Sequence, residues 1–297
     1  MGEWFTWKPL DHLLIEVCND ALQLGFRKRK PKVLGRFIQD CGHLEGSDIG
    51  LVIAYEQPWS LNWLLKMAAR HLASGTLLVF DNSRWMKSRV KIERVCRDNG
   101  VPYLGLPFSP TPHPNRSHGM AMTYVFYNVV LTLKPRTFTF IDHDLIPMAR
   151  IELGRALGDQ PFYGLPDDSK WAWSLWAGYC SYDYSSVCHL PLNFLNDFSN
   201  GLDTGGRNWP LLYRNYQRSR VRFGTLHKTD VTDPFSGTTH PVDVVDKNWI
   251  HLGGASYSSK FLEMTDFYER IAQATEEGAT LSSLGVKSWE LVRGRQI

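Results

Sequence analysis

The sequence lacks the features that mark several common protein classes. No apolar run approaches the roughly 20 residues that a helix needs to span a bilayer. The first nine residues have no cationic start followed by an apolar segment, so they do not resemble a secretory signal. The five cysteines are an odd number without a CxxC pair or a zinc-type spacing, which favours a reducing compartment. We therefore expect a cytoplasmic protein.

Glycine-rich phosphate loops and a strong net charge are missing too. No GxGxxG follows the first predicted strand, which disfavours an NAD-dependent oxidoreductase. Residues 49–60 contain only Gly50, which disfavours a nucleotidyltransferase. The net charge of +3 is too weak to favour nucleic acid as the main partner.

Basic residues are nevertheless clustered near the N-terminus, in the run Arg27-Lys28-Arg29-Lys30 and at Lys32. Such a cluster is typical of a solvated face, or of a patch that contacts anionic lipid head groups. On the second interpretation the protein is peripheral at the inner face of a membrane.

Apolar and polar residues alternate as in an α/β protein. Each of four short apolar runs is followed or preceded by a segment with helical spacing, which predicts a mostly parallel sheet flanked by helices. The predicted strands are 49–55, 76–80, 101–106 and 137–141, and the predicted helices are 61–72, 85–98 and 118–131. In such sheets a ligand crevice lies beyond the carboxyl ends of the strands.

Two acids follow the fourth predicted strand directly, in Asp142-His143-Asp144. Two carboxylates on a sharp turn can hold a hard divalent cation through oxygen, with positions left open for substrate phosphates. Aspartate also occurs in turns and helix caps without a ligand. The place of this pair at a strand end favours the metal site.

From residue 49 to about residue 256 the chain resembles the GT-A glycosyltransferases. The features that carry the resemblance occur in a fixed order. They are the 49–55 strand, Phe80-Asp81-Asn82-Ser83, the helix before the acidic strand, Ile141-Asp142-His143-Asp144, Asp203 and His251. Arg116-Ser117-His118-Gly119 is also similar to a segment of uncharacterised bacterial glycosyltransferases. Asn82 departs from the pattern, because that family usually has a second acid there.

The resemblance implies a Rossmann-like fold and a nucleotide-sugar donor, with a UDP-sugar expected. It implies that an Mn²⁺ or Mg²⁺ ion is held by Asp142, Asp144 and His251. The implied donor contacts are Tyr55, Asp81, Asn82, Arg116, His118, Asp142 and His143. For Arg116 and His118 a place in the helix without a ligand stays open, and His143 could instead pack beneath the ribose.

Asp203 is the candidate general base, since inverting members of this family use an acid at the start of a helix. The sequence predicts such a helical stretch from Asp203 to about Gln217. A plain helix cap is the alternative. The predicted acceptor wall contains Trp173, Trp176 and Gly178, and core packing is the alternative for these tryptophans.

The resemblance divides the chain into three parts. Residues 1–47 are expected to form an N-terminal extension, and 48–256 a catalytic domain with a donor half, 48–150, and an acceptor half, 151–256. Residues 257–297 are expected to form a C-terminal helical tail. The expected activity is sugar transfer to a hydroxyl of a glycan or lipid-linked acceptor, in polysaccharide or lipopolysaccharide biosynthesis, with inversion. A retaining transferase and a non-catalytic sugar-nucleotide-binding partner in a polysaccharide-assembly complex are the alternatives.

Overall fold

A computed structural model describes residues 10–253 and 259–292. Its α-helices are α1 (Leu10–Lys28), α2 (Leu34–Asp40), α3 (Pro58–His71), α4 (Met86–Asp98), α5 (Pro114–Val125), α6 (Leu131–Leu133), α7 (Tyr184–Val187) and α8 (Ser259–Glu276). Its strands are β1 (Asp48–Ala54), β2 (Leu72–Ser74), β3 (Thr76–Asp81), β4 (Tyr103–Gly105), β5 (Thr137–Asp142), β6 (Leu145–Pro147), β7 (Ile151–Glu152), β8 (Phe162–Asp168), β9 (Trp173–Asp183), β10 (Leu226–Thr232), β11 (Thr239–Val245), β12 (Trp249–His251) and β13 (Glu290–Leu291).

A six-stranded sheet with the order β4-β3-β1-β5-β9-β8 forms the centre of the fold. The four strands predicted from the sequence are its parallel part, and β9 runs antiparallel to both β5 and β8. Helices flank this sheet, so the expected mixed α/β architecture with a mostly parallel central sheet is confirmed.

A second, antiparallel sheet has the order β13-β10-β11-β12-β6 and was not anticipated from the sequence. The short strand β6 begins only three residues after β5 ends. The chain therefore passes from the central sheet to the second sheet within Asp142–Leu145.

Two hydrophobic clusters cover the two faces of the central sheet. Residues Ile49, Leu51 and Ile53 of β1 belong to one cluster, whereas Val52 and Ala54 belong to the other, because successive side chains of a strand point to opposite faces. The first cluster includes residues of α1 and α2, and the second includes residues of α8. The boundaries at 47 and 256 stay a prediction, and the second falls outside the described residues.

Two details of the predicted elements need correction. Residues 203–217 do not form a helix but a chain of turns, with short 3₁₀ segments at Gly206–Asn208 and Tyr213–Asn215. Near the N-terminus, where the sequence pattern indicates a possible short helix from about Leu10 to Leu24, α1 continues to Lys28 and so includes the start of the basic run. Among the described residues no helix is both long and apolar enough to cross a membrane.

Candidate metal and donor site

The ligand atoms of Asp142, Asp144 and His251 lie within 4.8 Å of one another. Asp142 is the last residue of β5 and is partly exposed, whereas Asp144 and His251 are 4% and 8% exposed. The intervening His143 is buried as well. Two carboxylates and one imidazole in this arrangement could hold a metal ion.

Strand pairing in the second sheet brings His251 to the acidic turn. His251 of β12 lies opposite Leu145 of β6. One residue further, the backbone N–H of Leu252 donates to the carbonyl of Asp144 at 3.0 Å. The Nε2 of His251 is consequently 3.9 Å from Oδ1 of Asp144. A residue more than a hundred positions downstream thus completes the group.

Gly178 and Trp176 of β9 lie directly against these residues. A Cβ at Gly178 would come within 2.5 Å of Oδ2 of Asp142 and 2.2 Å of the Trp176 ring. The Trp176 ring meets the His251 ring edge-on, with 4.8 Å between centroids. A side chain at position 178 would therefore displace Asp142 or the Trp176 ring, whereas glycine leaves room for both.

His118 extends the group from the first turns of α5. Its Nε2 is 3.6 Å from Oδ1 of Asp142. Burial lowers the pKa of His118 to about 4, although the negative charges of Asp203 and Asp144 act in the opposite direction. The ring is therefore neutral near pH 7. Nε2 of His118 and Nδ1 of His251 are buried without a hydrogen-bond partner in the described part of the chain.

Side-chain amides and a hydroxyl hold Asp203 beside His118. Nδ2 of Asn115 donates to both carboxylate oxygens, at 3.1 and 3.2 Å, and Nδ2 of Asn196 donates to Oδ1 at 2.5 Å. The hydroxyl of Thr204 lies 3.3 Å from the same oxygen. The following 3₁₀ turn is capped by Gly205 without a side-chain bond. Asp203 therefore does not cap it, and the helix start from which the base was predicted is absent as well.

Asn115 and Asn196 are site residues that the sequence reasoning missed. Asn115 lies one helical turn before Gly119 and directly precedes the Arg116-Ser117-His118-Gly119 segment that is similar to bacterial enzymes. Its place next to that segment was the only sign in the sequence that Asn115 could belong to the site. Nothing in the local sequence marks Asn196, because its role depends on how the 192–207 segment folds back over α5.

The predicted nucleoside residues do not share one environment. Asp81 is fully buried, and its carboxylate accepts hydrogen bonds from the Ser83 amide at 2.8 Å and the Tyr103 hydroxyl at 3.0 Å. Burial raises the pKa of Asp81 despite these bonds and the charge of Arg89. Asp81 thus has no surface open to a ligand, and its predicted contact with the nucleoside needs correction: it holds the end of β3.

Asn82 and Tyr55 stay close to the strand ends. Nδ2 of Asn82 donates to Oγ of Ser117 at 2.8 Å, which ties β3 to α5. Oδ1 of Asn82 has no hydrogen-bond partner among the described residues. Tyr55 follows β1 and is partly buried, and burial together with the charge of Glu56 raises its pKa.

Glu56 is a third residue that the sequence did not reveal. Its φ of 59° is left-handed, and its amide donates to Oγ of Ser83 at 2.9 Å. Its carboxylate accepts the amides of Arg84 and Trp85, at 2.6 and 3.1 Å. These bonds join the carboxyl ends of β1 and β3.

Two of the predicted contact residues have other partners in the structure. The guanidinium of Arg116 donates to Oδ1 of Asn19 in α1 at 3.3 Å, whereas His118, two residues later, contacts Asp142. Trp173 is 4% exposed and packs against Tyr213 and Phe223. Trp173 therefore belongs to the core, which was the alternative to a place in the acceptor wall. Arg116 links α1 to α5.

No protein-family model matches the sequence, and no curated protein does. Solved structures with a partial likeness include glucosyl-3-phosphoglycerate synthase from Mycobacterium tuberculosis with Mn²⁺ and UDP-glucose, at 15% identity over 40% of this chain and 39% of that chain, with a TM-score of 0.25. A mannosyltransferase from Pyrobaculum calidifontis with GDP-Man and Mn²⁺ gives 9% identity, coverage of 59% and 55%, and a TM-score of 0.35. The WbbM bifunctional glycosyltransferase has 11% identity over 48% of this chain and 32% of that chain, with a TM-score of 0.34. The chain spans less than two thirds of each of these proteins.

Proposed function

We propose that the protein is a metal-dependent glycosyltransferase, which moves a sugar from a nucleoside diphosphate donor to a hydroxyl of a glycan or lipid-linked acceptor. The group of Asp142, Asp144 and His251 carries this proposal. It lies beyond the carboxyl ends of parallel strands, where α/β proteins bind their ligands. Its two carboxylates suit Mg²⁺ or Mn²⁺.

The chemistry of the bound ion would be to neutralise the charge of the donor diphosphate. The protein's own residues would orient the reactants. The neutral His118 can donate one hydrogen bond to a donor oxygen without adding charge. Trp176, beside His251, offers a partly exposed ring on which an acceptor sugar can stack.

Asp203 is the proposed base of an inverting transfer. It would accept the proton of the acceptor hydroxyl as that oxygen attacks the anomeric carbon. The side-chain amides of Asn115 and Asn196 donate hydrogen bonds that orient its carboxylate. For the donor we propose a UDP-sugar, because Tyr55 can stack on a base and the unpaired Oδ1 of Asn82 can accept an imide N–H.

Asp144→Asn tests the metal site, with Asp98→Asn, an exposed acid of α4, as the matched control. Calorimetry should show Mn²⁺-dependent UDP binding by the wild type and the control. The Asp144 variant should lose it, with an unchanged circular dichroism spectrum. Binding at wild-type affinity in this variant would exclude the assignment. Mn²⁺-dependent binding without any donor hydrolysis would favour the non-catalytic partner instead.

A further inference from the structure

Helix α1 exposes most of the apolar side chains that the structure describes in it. The side that packs against the protein carries Phe26, which is 1% exposed, and the polar residues Glu16, Asn19 and Gln23, which are 9%, 2% and 5% exposed. The opposite side carries Leu14, Val17, Cys18, Ala21, Leu24 and Gly25, which we call the outer face. A surface helix normally buries its apolar side.

The buried polar side has specific partners. Oε1 of Glu16 accepts from the Ser199 hydroxyl at 3.1 Å, and Oδ1 of Asn19 accepts from Arg116 at 3.3 Å. Asp20 at the edge of the helix is paired with Arg207. These contacts fix the orientation of α1, so the outer face is not a consequence of a loosely placed helix.

The outer face is continuous and uncharged. Its members recur every three or four residues, as neighbours on one side of a helix do. Leu14, Val17 and Leu24 are 65%, 59% and 45% exposed. From Leu14 to Gly25 the face is about 17 Å long, at roughly 1.5 Å per residue.

The basic run continues the outer face at its C-terminal end. Arg27 lies over the Tyr127 ring and Lys30 is bonded to Asn128, which keeps the run against the body of the protein. Lys28 and Lys32 are exposed. An apolar helix face beside a cationic cluster is typical of helices that lie in a membrane interface.

We propose that the outer face of α1 and the adjoining basic run bind the surface of an anionic lipid bilayer. The apolar residues would enter the boundary between head groups and acyl chains, and the lysines would contact the anionic head groups. The inner side of α1 contacts Arg116 of α5 and Arg207, in the segments that also carry His118 and Asp203. If the proposed transfer holds, the site would lie next to a lipid-linked acceptor, but membrane binding itself does not depend on that activity.

Vesicle co-sedimentation of the full chain, without metal or nucleotide, tests this surface. Vesicles of phosphatidylcholine mixed with phosphatidylglycerol should bind the wild type, and vesicles of phosphatidylcholine alone should bind it much less. The paired change Val17→Gln with Leu24→Gln should lower the partition coefficient by on the order of tenfold or more. Val90→Gln is the matched control, since Val90 of α4 is 60% exposed against 59% for Val17.

The charge contribution is tested separately. Lys28→Gln with Lys32→Gln should weaken binding about fivefold for each lysine removed, and added salt should weaken wild-type binding in the same direction. Lys91→Gln, an exposed lysine of α4, should have no effect.

Three results would overturn the inference: equal binding to neutral and anionic vesicles, wild-type binding by the Val17/Leu24 variant, or a second copy of the chain on the outer face. The last would appear in sedimentation velocity as a dimer that this variant dissociates. UDP and Mn²⁺ binding, measured in the same variants, should be unchanged. If the wild type itself does not bind UDP with Mn²⁺, this would argue against the proposed activity, and the vesicle result would still stand.

Discussion

At the scale of single residues, uncharged side chains hold the carboxylate of Asp203. Asp203 accepts from two amides and lies near a hydroxyl, and no arginine or lysine is bonded to it among the described residues. His118, between Asp203 and Asp142, is kept uncharged by burial. The carboxylate is therefore oriented by uncharged groups, as a base that must reach an acceptor hydroxyl would need to be.

Asp203→Asn should abolish transfer while donor binding persists. Asparagine retains the size of the side chain and one accepting oxygen, but it cannot take a proton. Loss of general-base catalysis typically costs about 10² to 10⁴ in rate. Initial rates of transfer, with Mn²⁺-dependent UDP binding measured in parallel, check this expectation.

Asn196→Ala is the companion change, since it removes one hydrogen bond to Asp203 and leaves the carboxylate in place. A smaller loss of rate than in Asp203→Asn is expected. Near-normal turnover by Asp203→Asn would return the residue to a structural role, and a product that keeps the anomeric configuration of the donor would point to a retaining reaction.

At the scale of elements, much of the central sheet can be predicted from the sequence, because each parallel strand is a short apolar run that ends at a polar residue. The helix predicted for 203–217 is wrong, although the sequence itself contains the two residues that interrupt it. Its apolar residues have helical spacing, but Gly205, at a φ of 93°, and Pro210 interrupt the helix. The second sheet was missed for a related reason: its strands are short or mostly polar, and they are ordered by pairing with distant residues.

Helix α5 is placed by a glycine whose requirement is steric. A Cβ at Gly119 would lie 2.3 Å from the carbonyl oxygen of Phe194, which is backbone and cannot rotate away. Gly119→Ala should therefore destabilise the protein by about 1–3 kcal/mol, even though alanine is the better helix former. Urea-induced unfolding measures this difference.

Gly25→Ala is the matched control, since Gly25 lies within α1 and a Cβ there meets nothing within 4 Å. This change should stabilise the protein by about 0.5–1 kcal/mol. Equal stability of Gly119→Ala and the wild type would show that α5 and the 192–196 segment do not approach this closely. Because that segment carries Asn196, transfer by Gly119→Ala should fall as well.

At the scale of the whole molecule, the candidate metal group joins the two sheets. Asp142 ends the last parallel strand of the central sheet, whereas His251 belongs to the second sheet. A ligand that binds only the folded chain stabilises it by about 2.7 kcal/mol at a hundred times its Kd. Metal binding should therefore stabilise the packing of both sheets at once.

The midpoint of thermal unfolding should accordingly rise by several degrees with saturating Mn²⁺, by roughly 2–4 °C per kcal/mol. Asp144→Asn should show no such rise, and Asp98→Asn should behave as the wild type does. A metal-dependent rise of the same size in Asp144→Asn would place the ion elsewhere.

The passage of the chain between the sheets also fixes an order of events during synthesis. The strands of the parallel part are complete at Asp142, but His251 leaves the ribosome 107 residues after Asp144. At about 5–20 residues per second this delay is roughly 5–20 s. For that time the nascent chain carries both carboxylates without the imidazole, so the complete three-residue group forms only after β12 has been synthesised.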